Sequence, residues 1–294
     1  MATFRTRSHA PARPRFGLAR VISKLGVCSR SQAERAVREG RVSVDGRVVL
    51  DPECPADAER QRICLDGERV SASRRIYVVL NKPRGIVVTA ADERGRDTVY
   101  ELLATSGLPW LGPVGRLDKA SEGLLLLSND SVWAAGLTDP RRHVDKIYHV
   151  QIDAIPEQAL LDQLLHGVEE QGEHLSAKRV SVLRRGEKNA WLEIVLDEGR
   201  NRQIRRLLKA HGIDVLRLMR IAIGDVALGE LGKGQWRHLS DEEVAKLAHA
   251  PRSEDAERPA SRQETGDAPS GRTQTRMSTQ SRHEAPPPRA KRRR

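Results

Sequence analysis

The chain is 294 residues long, carries a formal net charge of +11, and only 3% of its residues are aromatic. That length supplies enough apolar surface for one or two packed domains, so disulfides are not needed for stability. The three cysteines form no C-x-x-C pair, which fits a reducing compartment and argues against a zinc site. No apolar run reaches the length of a membrane helix, and residues 1–15 lack the apolar segment of a signal peptide. We therefore expect a cytoplasmic protein without a metal or a membrane contact.

Most of the positive charge lies at the two ends of the chain. Residues 1–15 contain four arginines and no acid, and residues 251–294 contain eleven basic and six acidic residues, so only +2 of the +11 falls on residues 16–250. The composition of 251–294 predicts a disordered basic tail, and that of residues 1–15 predicts a similar disordered basic arm. Such a tail can bind RNA phosphates or act as a nuclear-localisation signal, and it can equally be a solvated segment without a partner.

Residues 16–70 are predicted to form a small first domain of two helices and a hairpin. The apolar residues of 18–25 follow a helical spacing, and Ser29 or Ser31 begins a second helix. The segment RVSVDGRVVL then alternates about Asp45-Gly46, which predicts a two-residue β-hairpin. Basic side chains, which are as typical of a solvated face as of an RNA-binding one, decorate the helical pair: Arg20, Lys24, Arg30, Arg35, Arg38 and Arg41.

The order of these elements is more informative than their charge. The stretch SKLGVCSRSQAERAVREGRVSVDGRVV resembles the RNA-binding module of ribosomal protein S4, the alpha-L motif, in its succession of helix, Ser-Arg, helix, Gly-Arg-Val and hairpin. The resemblance implies that this domain docks on structured RNA, largely through backbone and shape contacts made by the six basic side chains.

After a polar linker at 66–75, residues 76–250 mix strands and helices without a regular βαβ alternation, which predicts an α+β fold. No G-x-G-x-x-G or P-loop is present, so a nucleotide cofactor has no binding motif. The periodicity predicts strands at YVVL and IVV around Lys-Pro-Arg-Gly, at 123–128, in KIYHVQID, RVSVLRRG and NAWLEIVL, and over 214–223, with helices near 98–104, 131–137, 156–167 and 199–212.

One stretch, GPVGRLDKASEGLLLLSND at 112–130, places a charged turn directly before four leucines. Gly115 and Gly123 bracket RLDKASE, so the backbone can turn tightly and hold Asp118 at the mouth of a site beside a buried strand. Taken alone, an aspartate in such a place is more often a turn or helix cap.

The stretch as a whole resembles the catalytic motif of the pseudouridine synthases, which is G-R-L-D followed by G-L-L-L and a Ser/Thr-Asn/Asp-Asp end. Three further segments match that family in order and spacing: NKPRG at 81–85, KIYHV at 146–150 and EGRNRQIRRLLKAHG at 198–212. The resemblance covers about residues 18–247 and points to the ribosomal RNA branch containing RsuA, RluB, RluE and RluF. It implies a small S4-like domain at 16–70 and a catalytic domain at 76–250 with a mixed, mainly antiparallel sheet and flanking helices.

The resemblance further implies an enzyme that isomerises one uridine of RNA to its C-glycoside without a cofactor. In the family pattern Asp118 is the essential carboxylate, acting as a nucleophile or as the base of an elimination, and the sequence leaves both routes open. Arg205 would keep this carboxylate ionised. Tyr148 would stack on or hydrogen-bond the extruded uracil and assist proton transfer at C5, although a strand tyrosine can also be a core residue.

Basic residues near these motifs predict the path of the RNA. Residues 199–220 contain seven basic residues and one acidic residue, and the predicted helix there has a basic face opposite the apolar stripe of Ile204, Leu207 and Leu208. Arg116 either enters the gap left by an extruded base or contacts a phosphate. Beyond the S4-like set, the predicted RNA contacts are Lys82, Arg116, Arg202, Arg206 and Lys209.

Two other functions fit parts of the sequence. A non-catalytic ribosome-associated protein would use the same first domain and basic ends, but it has no need of Asp118, Tyr148 and Arg205 in matched contexts. A glycosidase using Asp118 and Glu122 lacks the aromatic residues that sugar subsites need. We therefore predict a monomeric pseudouridine synthase whose partner is ribosomal RNA, with large-subunit 23S RNA preferred and small-subunit 16S RNA as the alternative.

Overall fold

The computed structural model describes residues 16–89 and 95–249, so the basic arm at 1–15 and the basic tail at 251–294 lie outside the described residues. None of the described helices is long and apolar enough to cross a membrane. The first part of the described chain contains β1 (Phe16–Gly17), α1 (Leu18–Lys24), α2 (Arg30–Arg38), β2 (Val42–Val44), β3 (Arg47–Val48), β4 (Pro55–Ala56), β5 (Ile63–Leu65) and β6 (Glu68–Arg69).

The S4-like module packs around its own apolar cluster, in which α1 and α2 lie against β2 and β5. Ser29 begins α2, since its hydroxyl accepts a hydrogen bond from the Gln32 N–H at 3.1 Å and the Gln32 side chain accepts one from the Ser29 N–H at 2.9 Å. Asp45 and Gly46 have φ angles of +50° and +81°, as a tight two-residue hairpin requires. The predicted helical pair and hairpin are confirmed.

The second part of the described chain contains β7 (Tyr77–Lys82), β8 (Gly112–Val114), β9 (Glu122–Ser128), α3 (Ser131–Thr138), β10 (Lys146–Ile152), α4 (Gln158–His166), β11 (Val168–Glu170), β12 (Glu173–Leu175), β13 (Arg179–Arg185), β14 (Ala190–Leu196), α5 (Gln203–Ala210), β15 (Val215–Ile223), β16 (Val226–Ala227), β17 (Trp236–His238) and α6 (Asp241–Ala248).

One large sheet organises this second part. Its strands lie in the order β13-β14-β10-β15-β9-β7-β17, with β16 added to β15 and β8 added to β9. Among these pairings only β9 with β15 is parallel, and the others are antiparallel. The predicted mixed, mainly antiparallel sheet with flanking helices is confirmed.

The leucine run of β9 is buried along its whole length because both faces of the strand are covered. Leu124 and Leu126 pack in the cluster that includes residues of α3 and α6, whereas Leu125 and Leu127 pack in a cluster on the opposite face. Helices α4 and α5 cover the neighbouring strands β10, β14 and β15. The Asp118 loop thus leads into the most buried strand of the sheet.

One predicted strand is wrong. The segment IVV at 86–88 makes only an isolated bridge between Val87 and Thr98. Strand β7 is already paired with β9 on one edge and with β17 on the other, so the chain after the Lys-Pro-Arg-Gly turn finds no free edge to join.

Candidate active site

The loop between β8 and β9 carries Asp118 to the mouth of a cleft. Gly115 begins this loop with a φ of +74°, the side chain of Leu117 is buried, and Asp118 itself is half-buried. The Asp118 carbonyl accepts a hydrogen bond from the Ser121 N–H at 3.0 Å, which closes a turn before β9. The backbone of Asp118 is therefore held between the core and the cleft.

Lys82 supports this loop from below and is not an RNA contact. Its side chain is fully buried, and its Nζ donates to the carbonyls of Ser121 at 2.8 Å, Pro83 at 3.1 Å and Asp118 at 3.2 Å. Burial lowers the pKa of Lys82 to about 8, while the charges of Asp118 and Glu122 act in the opposite direction. The prediction of an RNA contact for Lys82 is wrong, because the lysine at the end of β7 is fully buried.

Glu122, the candidate second carboxylate of a glycosidase, is buried and ion-paired. Burial raises its pKa, but a short hydrogen bond from Arg217 and a contact with Lys233 at 3.3 Å outweigh burial and lower the pKa overall. The residue does not line the cleft that Asp118 lines. The arrangement is therefore not a facing pair of carboxylates.

Arg205 donates a hydrogen bond to the backbone of the Asp118 loop. From α5 its Nη2 donates to the Ala120 carbonyl at 3.2 Å, and its Nη1 donates to the Val215 carbonyl at 3.3 Å. Burial lowers the pKa of Arg205, and the negative charge of Asp118 opposes that shift. Arg205 thus places a positive charge beside Asp118 while bonding to the backbone of its loop.

The cleft has a volume of about 590 Å³ and lies over the sheet between the Asp118 loop and the start of α5. Tyr148 of β10 is half-buried in its wall, and the exposed side chains of Arg116 and Arg202 lie at its rim. Four predicted site residues, Asp118, Tyr148, Arg116 and Arg202, therefore line one cavity, and Arg205 adjoins it through the loop.

The basic face predicted for α5 is only partly present. The helix begins at Gln203, so Arg202 is its N-cap, with a φ of +48°, and its side chain lies at the cleft. Arg206 is instead bonded to both Glu170 and Glu173 of the β11–β12 hairpin, and Lys209 pairs with an aspartate. These carboxylates, remote in sequence, hold Arg206 away from the cleft.

Two cations of the cleft, Lys146 and Arg220, were missed by sequence reasoning. The signal for Lys146 was its position two residues before Tyr148 on a strand, which puts both side chains on one face. The signal for Arg220 was an arginine in the otherwise apolar second half of β15. Within the described residues, no group of three or more His, Cys, Asp or Glu side chains is arranged to hold a metal ion.

The six basic residues of the S4-like module are all exposed: Arg20, Lys24, Arg30, Arg35, Arg38 and Arg41. Arg20 and Lys24 lie over the ring of Phe16, at 4.6 Å and 3.7 Å from its centroid. Arg30 and Arg41 are held by carboxylates of the same module. Each cation is free of the core, as a charged docking surface requires.

An α+β core with an aspartate at the mouth of a cation-lined cleft, preceded by an S4-like module, defines an enzyme that acts on RNA. Comparison with known proteins gives the same result. Residues 76–210 match the family model described as RNA pseudouridylate synthase, and residues 16–59 match the S4 domain model.

Individual relatives agree with the family models over most of the chain. An uncharacterized RNA pseudouridine synthase of Aquifex aeolicus is 37% identical over 78% of this chain and 92% of its own length. The ribosomal large subunit pseudouridine synthase B of Bacillus subtilis is 35% identical over 78% of this chain and 94% of its own length. A crystal structure of a pseudouridylate synthase superimposes with a TM-score of 0.55 at 30% identity, covering 79% of this chain and 99% of that one. The chain belongs to the RNA pseudouridine synthase family, and it is an isomerase that converts uridine in RNA to pseudouridine.

Proposed function

We propose that Asp118 is the catalytic carboxylate and that the target is a uridine of ribosomal RNA. The observation that carries this proposal is the position of Asp118, which is half-buried, lines the cleft and is held by a loop that Lys82 and Arg205 both fix. A loop fixed this way positions its aspartate before substrate arrives, so less free energy is lost in orienting the residue.

Arg205 and Tyr148 have distinct roles in this proposal. Arg205 places a positive charge near the Asp118 carboxylate and bonds to the backbone of its loop. Asp118 then attacks C1′ of the extruded nucleotide as a nucleophile, or removes a ribose proton as a base. Tyr148, which lines the same cleft, packs against the uracil ring and assists the loss of the C5 proton.

The preferred substrate is 23S ribosomal RNA in the cytoplasm, with 16S RNA as the alternative. The B. subtilis relative is named as a large-subunit enzyme, and it aligns across both the S4-like module and the catalytic part. The exposed basic residues of the module fit backbone contacts to structured RNA, and Arg116 and Arg202 fit phosphates at the cleft rim. We further propose that the enzyme acts as a monomer.

No cofactor is needed in this proposal, because the reaction moves one bond of the base from N1 to C5 without net oxidation or reduction. One proton is gained at N1 and one is lost at C5, so acid–base groups and charged side chains suffice.

The decisive experiment is pseudouridine mapping by carbodiimide modification and primer extension across both ribosomal RNAs. A strain lacking the gene is complemented with wild type, with Asp118→Asn, or with Asp241→Asn, an exposed aspartate on α6 that receives the same chemical change. We expect one site in 23S RNA to disappear on deletion, to return with wild type and Asp241→Asn, and to stay absent with Asp118→Asn. Restoration by Asp118→Asn would overturn the role of Asp118, and a lost site in 16S RNA would correct the target.

A further inference from the structure

A buried guanidinium in the cleft wall has unused hydrogen-bond donors. Arg220 of β15 lines the cleft and is only 6% exposed, and its Nε donates to the Leu124 carbonyl at 2.8 Å. Its Nη2 is buried and has no hydrogen-bond partner in the described part of the chain. A buried charged donor without an acceptor is costly, so an acceptor from outside the protein fits this position.

Lys146 places a second cation on the same wall. Tyr148 pairs with Arg220 across β10 and β15, and Lys146 precedes Tyr148 by two residues on the same face. A β-bulge adds one residue to β15 between Arg220, the partner of Tyr148, and Ala222, the partner of Ile147. Burial and then the charge of Arg220 lower the pKa of Lys146, whose Nζ donates to the Asp197 carbonyl at 3.2 Å.

The carboxylates near these cations have other partners. Asp145 accepts from Lys178 at 2.7 Å, and Glu198 accepts from Arg200 at 2.8 Å. The Asp197 carboxylate lies 3.0 Å from Nδ1 of His143. Lys146 and Arg220 are therefore two cations at one wall of the cleft, without a carboxylate ion-paired to either of them among the described residues. A ligand that develops negative charge would relieve their mutual repulsion.

The position of Lys146 and Arg220 in the cleft indicates which part of the bound nucleotide they contact. Arg116 and Arg202 are exposed at the rim and suit phosphates, whereas Arg220 is buried beside Tyr148, where the base enters. When the bond from C1′ to N1 breaks, its electron pair stays on N1 and is delocalised onto O2 and O4 of the uracil. The detached base is then an anion, whether Asp118 acts as nucleophile or as base.

Building on the proposed function, we propose that Arg220 and Lys146 form a uracilate-binding site that stabilises the detached base through its carbonyl oxygens. Charge that develops in a closed site is stabilised strongly by donors already in place, because they need not reorganise. The anion then turns and its C5 bonds to C1′, while the ester bond from Asp118 to C1′ breaks or, in the elimination route, Asp118 returns its proton to the ribose. C5 then loses a proton and N1 gains one. Both cations are catalytic residues in this proposal, because they contact the reacting base.

The test compares uridine with 5-fluorouridine at the target position, since fluorine withdraws electrons and makes the base a more stable anion. Single-turnover rates are measured as loss of the original nucleoside after the RNA is digested. We expect Lys146→Gln to lower the rate with uridine about 100-fold, as removal of one such donor does, and to lower the rate with 5-fluorouridine much less.

Additional variants keep the test conclusive. Arg220→Gln is expected to show the same dependence on the base, and Arg220→Lys, which keeps the charge, should retain more activity than Arg220→Gln. Lys188→Gln neutralises an exposed lysine outside the cleft and should match wild type. Urea denaturation of each variant confirms that it is folded.

Two outcomes would overturn the inference. An equal loss of rate with both bases would show that the cations do not respond to the charge of the base, and a loss confined to RNA affinity would assign them to a phosphate. Wild type is measured in the same series, so a wild type that leaves uridine unchanged would contradict the proposed function itself. If wild type converts uridine but the variants lose the same rate with both bases, only the uracilate site is contradicted.

Discussion

A single buried amine links the interior of the protein to the loop that carries Asp118. Lys82 donates to three carbonyls, of which two belong to the ends of the Asp118–Ser121 turn. The residue stands next to the proposed catalytic carboxylate without lining the cleft, so its contribution is to loop position. Its protonation is therefore coupled to folding.

Lys82 makes stability depend on pH in a predictable direction. The folded-state pKa of about 8 lies below the ordinary 10.5, so between these values the unfolded chain binds the extra proton. The contribution of Lys82 to the free energy of unfolding therefore rises with pH from about 8 to 10.5. We expect the stability of wild type relative to Lys82→Met to increase across this window in urea denaturation. A difference independent of pH would contradict the lowered pKa.

Gly123 is required because two strands approach each other closely there. Its φ is +100°, and a Cβ at this position would overlap the Arg220 carbonyl oxygen and lie 2.9 Å from the Arg220 nitrogen. Gly123 pairs with Arg220 in the parallel β9–β15 contact. The glycine thus allows β9, the strand that follows the Asp118 loop, to lie directly beside β15, the strand that carries Arg220.

We expect Gly123→Ala to lower the free energy of unfolding by about 2 kcal/mol or more, since backbone strain and overpacking add. Gly85→Ala is the matched control, because Gly85 has a φ of +103° and no atom of the described chain within 4 Å of the added Cβ. Thermal or urea unfolding of both variants separates strain from steric overlap. Equal losses of unfolding free energy in the two variants would show that the close approach of β9 and β15 adds nothing to the cost of backbone strain.

At the level of elements, α5 shows how neighbours decide the role of a charge. Its apolar stripe of Ile204, Leu207 and Leu208 is buried as predicted. The arginines at this helix have different partners. Arg206 is paired with two glutamates of the β11–β12 hairpin, whereas Arg202 is the N-cap that precedes the helix and lines the cleft. The same residue type therefore has a structural role at one position and faces the cleft at the other.

This difference predicts unequal effects on RNA binding. Arg202→Gln should weaken binding and reduce the slope of log K against log salt concentration by about 1, as the loss of one phosphate contact does. Arg206→Gln should leave that slope unchanged and instead destabilise the fold, because it removes the partner of two carboxylates. Binding titrations at several salt concentrations distinguish the two, and equal slopes for both variants would contradict the assignment.

At the level of the whole molecule, basic charge outside the described residues adds to that of the S4-like module. Residues 251–294 carry eleven basic and six acidic residues. Such a segment adds affinity for RNA through counterion release, which depends on salt and not on the chemistry of the cleft.

Deletion of 251–294 should therefore weaken RNA binding about 10-fold at low salt and flatten its salt dependence, while the single-turnover rate on saturating RNA stays at the wild-type value. A variant in which only the closing KRRR is replaced by glutamines tests whether the charge, and not the length, is responsible. An unchanged salt slope after deletion would show that the tail does not bind RNA.

The sequence by itself determined the elements that local signals specify. Helix caps, the Asp45-Gly46 hairpin, the leucine strand and the position of Asp118 after a glycine turn depend on neighbours only a few residues away, and the motif spacing pointed to the family. Tyr148 and Asp118 at one cleft also followed from that pattern, because a shared motif order implies a shared fold.

Only the tertiary structure decided which charges are free. Lys82 and Arg206 look like surface cations in the sequence. Lys82 is instead buried and donates to backbone carbonyls, and Arg206 is paired with glutamates 36 and 33 residues earlier in the chain. Arg220 and Lys146 meet because β10 and β15 are neighbours in the sheet although they lie far apart in the sequence. The reason is physical: the solvation and partners of a charge depend on contacts between distant segments, and local sequence does not encode those contacts.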